Sequence, residues 1–223
     1  MSIFDIVGPE MVGPSSSHTA GAVNLGRLAR VIAGGELKKV VIKPHGSFGK
    51  TLQGHGTDKA LVGGLLSFKP NDPRLRSAFA EAKKRGFEFE FQKVEGRSVH
   101  PNTVIFNFYK YGEDLEEDGM EIQGASIGGG AVKITRIDDF NLEITGDNDS
   151  IWCVHKNMPG VIGHITSTLG EEDINIINMK AVQLREKDLG SCILEINQPV
   201  PQETAAELEK TDFINFVRRI PKL

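Results

Sequence analysis

Three histidines sit in stretches of small polar residues and glycine: Ser15-Ser16-Ser17-His18-Thr19, Gly54-His55-Gly56-Thr57-Asp58 and His100-Pro101-Asn102-Thr103. Histidine exchanges a proton near neutral pH, and glycine lets backbone come close to a ligand. A hydroxyl-rich segment running into a helix start offers free N–H groups that suit a carboxylate or phosphate. Together these parts can grip a small amino acid and move its protons. Plainer roles compete with that chemistry. Ser17 or Thr19, taken alone, is more often a helix cap than a catalytic group. His45, His155 and His164 read as structural. Gly54 and Gly56 can simply shape a turn. Gly128-Gly129-Gly130 can bind an anion but suits a bend between strands better. Arg27 and Arg30 could orient a carboxylate, although solvated helix arginines are the commoner case.

The elements that must carry these loops follow from periodicity. Leu25, Leu28, Ala29 and Ile32 recur at helical spacing directly after the serine-rich segment, and Gly34-Gly35 closes that helix. Lys39 to Lys43 reads as a strand, Pro44 to Gly49 as a glycine-rich loop, and Lys59 to Leu66 as a helix. Asn71-Asp72-Pro73 is a helix start, with Asp72 as cap and Pro73 first in the helix. Phe87, Phe89 and Phe91 alternate with glutamates, which predicts a strand with one buried face. Further strands are expected over 103–109, 120–127, 131–137 and 142–145, with an acidic solvated turn over 112–119. Helices and strands mix without strict alternation, which points to α+β.

Gly146-Asp147-Asn148-Asp149 is the best candidate linker, giving domains 1–148 and 149–223. After it the order is strand, helix, strand, strand, helix, strand, over 150–155, 159–169, 175–184, 191–198, 202–210 and 215–220. That βαββαβ order is ferredoxin-like. Its first and third strands are neighbours, so Cys153 and Cys192 should lie on adjacent strands as small core residues.

The chain has 223 residues, 39% hydrophobic and 25% charged, with a formal net charge of −4, ordinary for two modest globular domains. No basic run invites nucleic acid or an anionic membrane. No apolar stretch approaches the roughly 20 residues of a membrane span. Asp5 and Glu10 interrupt any leader-like run, so a cytoplasmic protein is expected. Two cysteines are too few for a disulfide-stapled fold or for a complete set of cluster ligands.

At these residues the chain resembles the iron–sulfur L-serine dehydratases, specifically their beta-type chain. Gly13-Pro14-Ser15-Ser16-Ser17-His18-Thr19-Ala20-Gly21, Gly54-His55-Gly56-Thr57-Asp58-Lys59-Ala60, Val99-His100-Pro101-Asn102 and Ser126-Ile127-Gly128-Gly129-Gly130 carry the likeness, in order. The first two motifs are specific, and the likeness runs the length of the chain. The first domain also resembles one found in some phosphoglycerate dehydrogenases, where it can bind anions or an allosteric ligand. The last domain resembles an ACT domain.

The resemblance implies a partner alpha chain that carries a 4Fe-4S cluster, with one iron open as a Lewis acid for the substrate's β-hydroxyl. A base removes the α-proton of L-serine, hydroxide leaves, and the enamine hydrolyses to pyruvate and ammonia. No pyridoxal phosphate takes part, and this chain supplies no metal ligand. By the same likeness His55 is the base or its closest partner, while His18 and His100 orient substrate or support proton transfer. Ser16, Ser17, Thr19 and Thr57 contact substrate or the alpha chain. In the ACT domain an effector would meet the loop from Lys156 to Val161 at Asn157, Pro159 and Gly160. A monovalent cation such as potassium and homodimerisation through either domain fit the pattern, and an ACT domain used only for dimerisation fits it too. The competing reading is a non-catalytic amino-acid sensor. The ACT domain suits it equally, but a sensor has no need of three histidine loops. An anion-sensing module built on the serine-rich loop shares that weakness.

Overall fold

The computed structural model describes residues 10–92, 94, 100–110 and 119–223. Asp5, Val99 of the third motif and most of the acidic turn lie outside the described residues. The chain divides into two compact units, the first ending at Asp138 and the second running from Asp139 to Leu223. No described helix is long and apolar enough to cross a membrane.

The first unit is a five-stranded sheet in the order β2-β1-β3-β4-β5. β1 (Leu37–Pro44) pairs parallel with β2 (Glu88–Phe91) and antiparallel with β3 (Thr103–Lys110). β4 (Met120–Gly128) and β5 (Ala131–Ile137) continue the antiparallel run. Gly128-Gly129-Gly130 forms the turn between them, all at positive φ, so the bend reading holds. β2 differs from expectation. It is an edge strand whose Phe89 and Phe91 are only half-buried, because one side has no neighbour to cover them.

Helix α1 (Gly21–Ala33) lies on this sheet and buries Leu25, Leu28 and Ile32 completely. A Cβ at Gly124 of β4 would sit 2.7 Å from a Leu25 methyl, which shows how closely α1 rests on the strand. α2 (Gly46–Lys50) occupies the stretch expected to be loop. A helix this short shows no periodicity to read. α3 (Thr57–Leu65) packs on α1 at a glycine crossing. A Cβ on Gly26 would come within 2.6 Å of the Leu61 carbonyl, and one on Gly64 would run into the Val23 carbonyl. Asp72 caps a 3-10 turn over Pro73–Ser77, and α4 (Ala78–Lys84) follows it.

The second unit has the strand order β7-β8-β6-β9, with β6 (Asp149–Lys156), β7 (Ile176–Leu184), β8 (Leu189–Ile196) and β9 (Ile214–Ile220) all antiparallel to their neighbours. With α5 (Val161–Glu171) and α6 (Gln202–Glu209) this is the ferredoxin-like arrangement. The α+β class therefore holds for the whole chain. Cys153 and Cys192 are direct cross-strand partners, fully buried among Ile151, Ile165, Leu169 and Leu194. The strand expected over 142–145 is absent. Residues 139–148 make only isolated bridges, yet Phe140, Leu142 and Ile144 are buried. Their alternation records burial without continuous pairing.

Candidate active site

The serine-rich segment forms one turn of π-helix, Ser16–Ala20, which runs directly into α1. Its cap is Ser15 rather than Ser17 or Thr19. Ser15 is extended (φ −136°, ψ 125°), and its hydroxyl accepts the His18 N–H at 3.2 Å. The turn is fixed from the sheet side as well. The Ser126 hydroxyl of β4 donates to the Ser17 carbonyl at 3.0 Å, and Gly21 is needed because any Cβ there would strike Ser126. The Asn24 amide donates to the Gly130 carbonyl at 2.9 Å, which ties α1 to the glycine turn.

This scaffold aims His18. Its Nε2 lies 3.1 Å from the Ser47 hydroxyl of α2, and its Nδ1 lies 3.4 Å from the Ser15 hydroxyl. Hydroxyls donate or accept, so either neutral tautomer is satisfied. The ring meets the edge of Phe48 at 5.2 Å between centroids. It also meets His55 at 5.4 Å. Burial, and then the nearby His55, hold the His18 imidazole below its ordinary pKa. Both effects favour its neutral form.

His55 precedes α3 and is exposed. Gly56 follows in the left-handed region (φ 67°), a conformation that turns the chain into the helix. The π turn that leads into α1 and the residues just before α3 meet here, where His18 faces His55. His55 borders a small cleft of about 130 Å³, which Thr19, Lys59 and Arg76 also line. Thr19 and Thr57 are buried, and neither hydroxyl has a hydrogen-bond partner among the described residues. Ser16 and Ser17 are half-buried at the mouth of the π turn.

His100 stands apart. It is exposed, and its Nδ1 accepts the Asn102 N–H at 3.3 Å. It makes no ring contact or hydrogen bond with His18 or His55. Its loop is nevertheless bound to theirs through backbone. The Pro101 carbonyl accepts the N–H groups of Ser47 and Phe48 at 2.7 and 3.4 Å. Gly46 (φ 54°) allows that approach, since a Cβ there would lie 2.6 Å from the Pro101 oxygen. Ser47 and Ser126 received no individual role from sequence. Their signal was only that each lies in a glycine-rich stretch, beside His45 in one case and Gly128 in the other.

The family model described as serine dehydratase beta chain matches residues 2–86, which carry the first two histidine motifs. A probable L-serine dehydratase beta chain of Bacillus subtilis is 38% identical over 222 residues, covering 98% of this chain and 97% of that one. The chain belongs to the serine dehydratase beta-chain family. An L-serine dehydratase beta chain of Peptoniphilus asaccharolyticus is 37% identical over 203 residues, 90% of this chain and 89% of that one. A D-3-phosphoglycerate dehydrogenase of Synechocystis is 25% identical over 203 residues, 91% of this chain but 36% of that protein.

The remaining candidate residues of this beta chain lie in the second unit. Gly160 (φ 92°) begins α5 in the left-handed region, and a Cβ there would meet nothing within 4 Å. Pro159 and Gly160 are exposed, whereas Asn157 is half-buried and its N–H donates to the Asp188 carbonyl at 3.0 Å. His155 behaves structurally, with Nδ1 at 2.8 Å from the Lys156 carbonyl and its ring over Gly190. Among the described residues no three His, Cys, Asp or Glu side chains converge as a metal-binding group. The two cysteines are enclosed in the sheet core, so the described residues of this beta chain do not fit an iron–sulfur cluster.

Proposed function

We propose that this beta chain supplies the proton-transfer wall of an L-serine dehydratase that converts L-serine to pyruvate and ammonia. An alpha chain completes the site and carries the 4Fe-4S cluster in this reading. The observation that carries it is the contact of the His18 and His55 rings at 5.4 Å between centroids, beside a cleft lined by Thr19, Lys59 and Arg76. His55 takes the α-proton of serine and becomes imidazolium. The β carbon–oxygen bond breaks and hydroxide departs, leaving an enamine. The enamine becomes an imine, and water hydrolyses the imine to pyruvate and ammonia. His18 keeps the neighbouring position uncharged, so the new positive charge on His55 meets no second cation from that ring. The His18 contacts to Ser15 and Ser47 hold its orientation. His100, on the loop bound to α2 through Pro101, orients the substrate from the far side. Ser16, Ser17, Thr19 and Thr57 contribute contacts to substrate or to the alpha chain.

The same reading includes a monovalent cation such as potassium, excludes pyridoxal phosphate and places the enzyme in the cytoplasm. It gives the ferredoxin-like unit an ACT role, with self-association there or in the first unit and an amino-acid effector at Asn157, Pro159 and Gly160. The test is anaerobic co-expression with a candidate alpha chain, followed by pyruvate measurement on L-serine. Co-elution with L-serine-dependent pyruvate is the expected result. Failure to form a complex, or a complex with an intact cluster and no pyruvate, overturns the reading.

A further inference from the structure

The cleft beside His55 holds more than a base. Lys59 stands four residues after His55 at the start of α3, and Arg76 approaches from the 3-10 turn over Pro73–Ser77. Both are exposed at the rim, and neither side chain has an ion-pair or hydrogen-bond partner among the described residues, although the Lys59 backbone N–H donates to the Asp58 carboxylate at 2.7 Å. Lys39, Arg74 and Lys84 each pair with a carboxylate at 2.6–2.8 Å. Thr19 lines the same cleft at 4% exposure, with its hydroxyl unpartnered. Ala60 and Leu75 make the rest of the wall apolar. Two cations at the rim of a small cleft that no carboxylate lines are complementary to an anionic planar group on a small ligand.

We propose that Lys59 and Arg76 form a carboxylate subsite that grips the α-carboxylate of the substrate amino acid. This deepens the dehydratase reading and rests on it for the identity of the substrate. The position suits the chemistry. Removing an α-proton pushes negative charge into the adjacent carboxylate, so cations there bind the transition state more tightly than the ground state.

The test uses the alpha–beta complex and the full-length chain. Lys59→Met and Arg76→Met should each raise KM for L-serine and lower kcat/KM roughly 10- to 100-fold, the size expected when a hydrogen bond to a charged group is lost. Co-elution and the cluster absorbance should not change, and Lys59→Arg should recover most of the loss. Binding is read separately by NMR on the isolated full-length chain, titrated with L-serine, 3-hydroxypropionate or L-serinamide. The two carboxylates should shift the Gly56 and Lys59 amides, and the amide analogue should not. An active complex whose Lys59→Met/Arg76→Met double variant stays within roughly threefold of the wild-type kcat/KM refutes the subsite and leaves the dehydratase reading standing. If the wild-type complex makes no pyruvate, the dehydratase reading falls and the titration decides the subsite. Carboxylate shifts that vanish in the double variant then support it, and their absence or persistence refutes it.

Discussion

Burial first, and then the facing His55 ring 5.4 Å away, make a proton on His18 costly. His18 has its pKa depressed by burial and by His55, whereas an unfolded chain protonates it near the ordinary 6.5. Above that value both states are neutral at His18, and its contribution to stability is complete. As pH falls, the unfolded state takes the proton first, and stability is lost down to the folded pKa. Wild type should therefore lose more melting temperature than His18→Asn between about pH 7.5 and 5.5. Parallel pH dependences in thermal melts would contradict the assignment. At His55 the expected outcome is kinetic. His55→Ala in the alpha–beta complex should lower turnover roughly 100-fold or more, as removal of a general base does. Near-normal pyruvate production from that variant would remove His55 from the role.

At the scale of elements, the site depends on where α1 and α3 begin, and their crossing is set by Gly26 and Gly64. A methyl group on either would meet backbone of the opposite helix, which cannot rotate aside. Gly26→Ala or Gly64→Ala should cost about 1–3 kcal/mol in urea unfolding. Each should also lower turnover by separating His18 from His55. Unchanged stability in both variants would mean that the helices do not cross at these glycines. In the second unit, hydrogen bonding with Cys192 and burial hold the Cys153 thiol above the ordinary thiol range. Ellman's reagent should label neither cysteine in the folded chain and both after denaturation. Rapid native labelling would contradict their full burial.

These elements were unequally visible in the sequence. α1 was legible because Leu25, Leu28, Ala29 and Ile32 repeat at helical spacing and all four are fully buried. The ferredoxin-like order was legible too, and it put the cysteines on adjacent strands. α2 was hidden because five residues carry no period. The His18–His55 contact was hidden because it depends on a glycine crossing far along both helices. The roles of Ser47 and Ser126 were hidden because each supports His18 or its turn from a different strand or helix. The cap at Ser15 was obscured by three consecutive serines that pattern alone cannot rank.

For the molecule as a whole, the described residues carry proton-handling groups in one unit and a closed cysteine pair in the other. The isolated chain, purified without oxygen, should be colourless and contain iron well below one atom per chain. Stoichiometric iron in the chain alone would contradict the proposal that an alpha chain carries the cluster. Dehydratase activity should appear only on mixing with the alpha chain, and activity of the beta chain alone would overturn the shared-site view.

The carbonyl of Pro101 clasps the first two amides that follow Gly46, and all three partners in that clasp are main chain. A library of side-chain replacements therefore passes over it almost unmarked. Exchanging Ser47 or Phe48 reports on the hydroxyl beside His18 or on the buried ring, while the peptide groups of the clasp persist. The only position where selection would register the clasp is Gly46, which touches no substrate in the proposed mechanism. In a mutational map of this protein, an intolerant Gly46 would thus mark how the His100 loop is joined to the rest of the site. Replacing the Ser47 amide with an ester, which removes the donor and keeps the side chain, would reveal what such a map leaves blank.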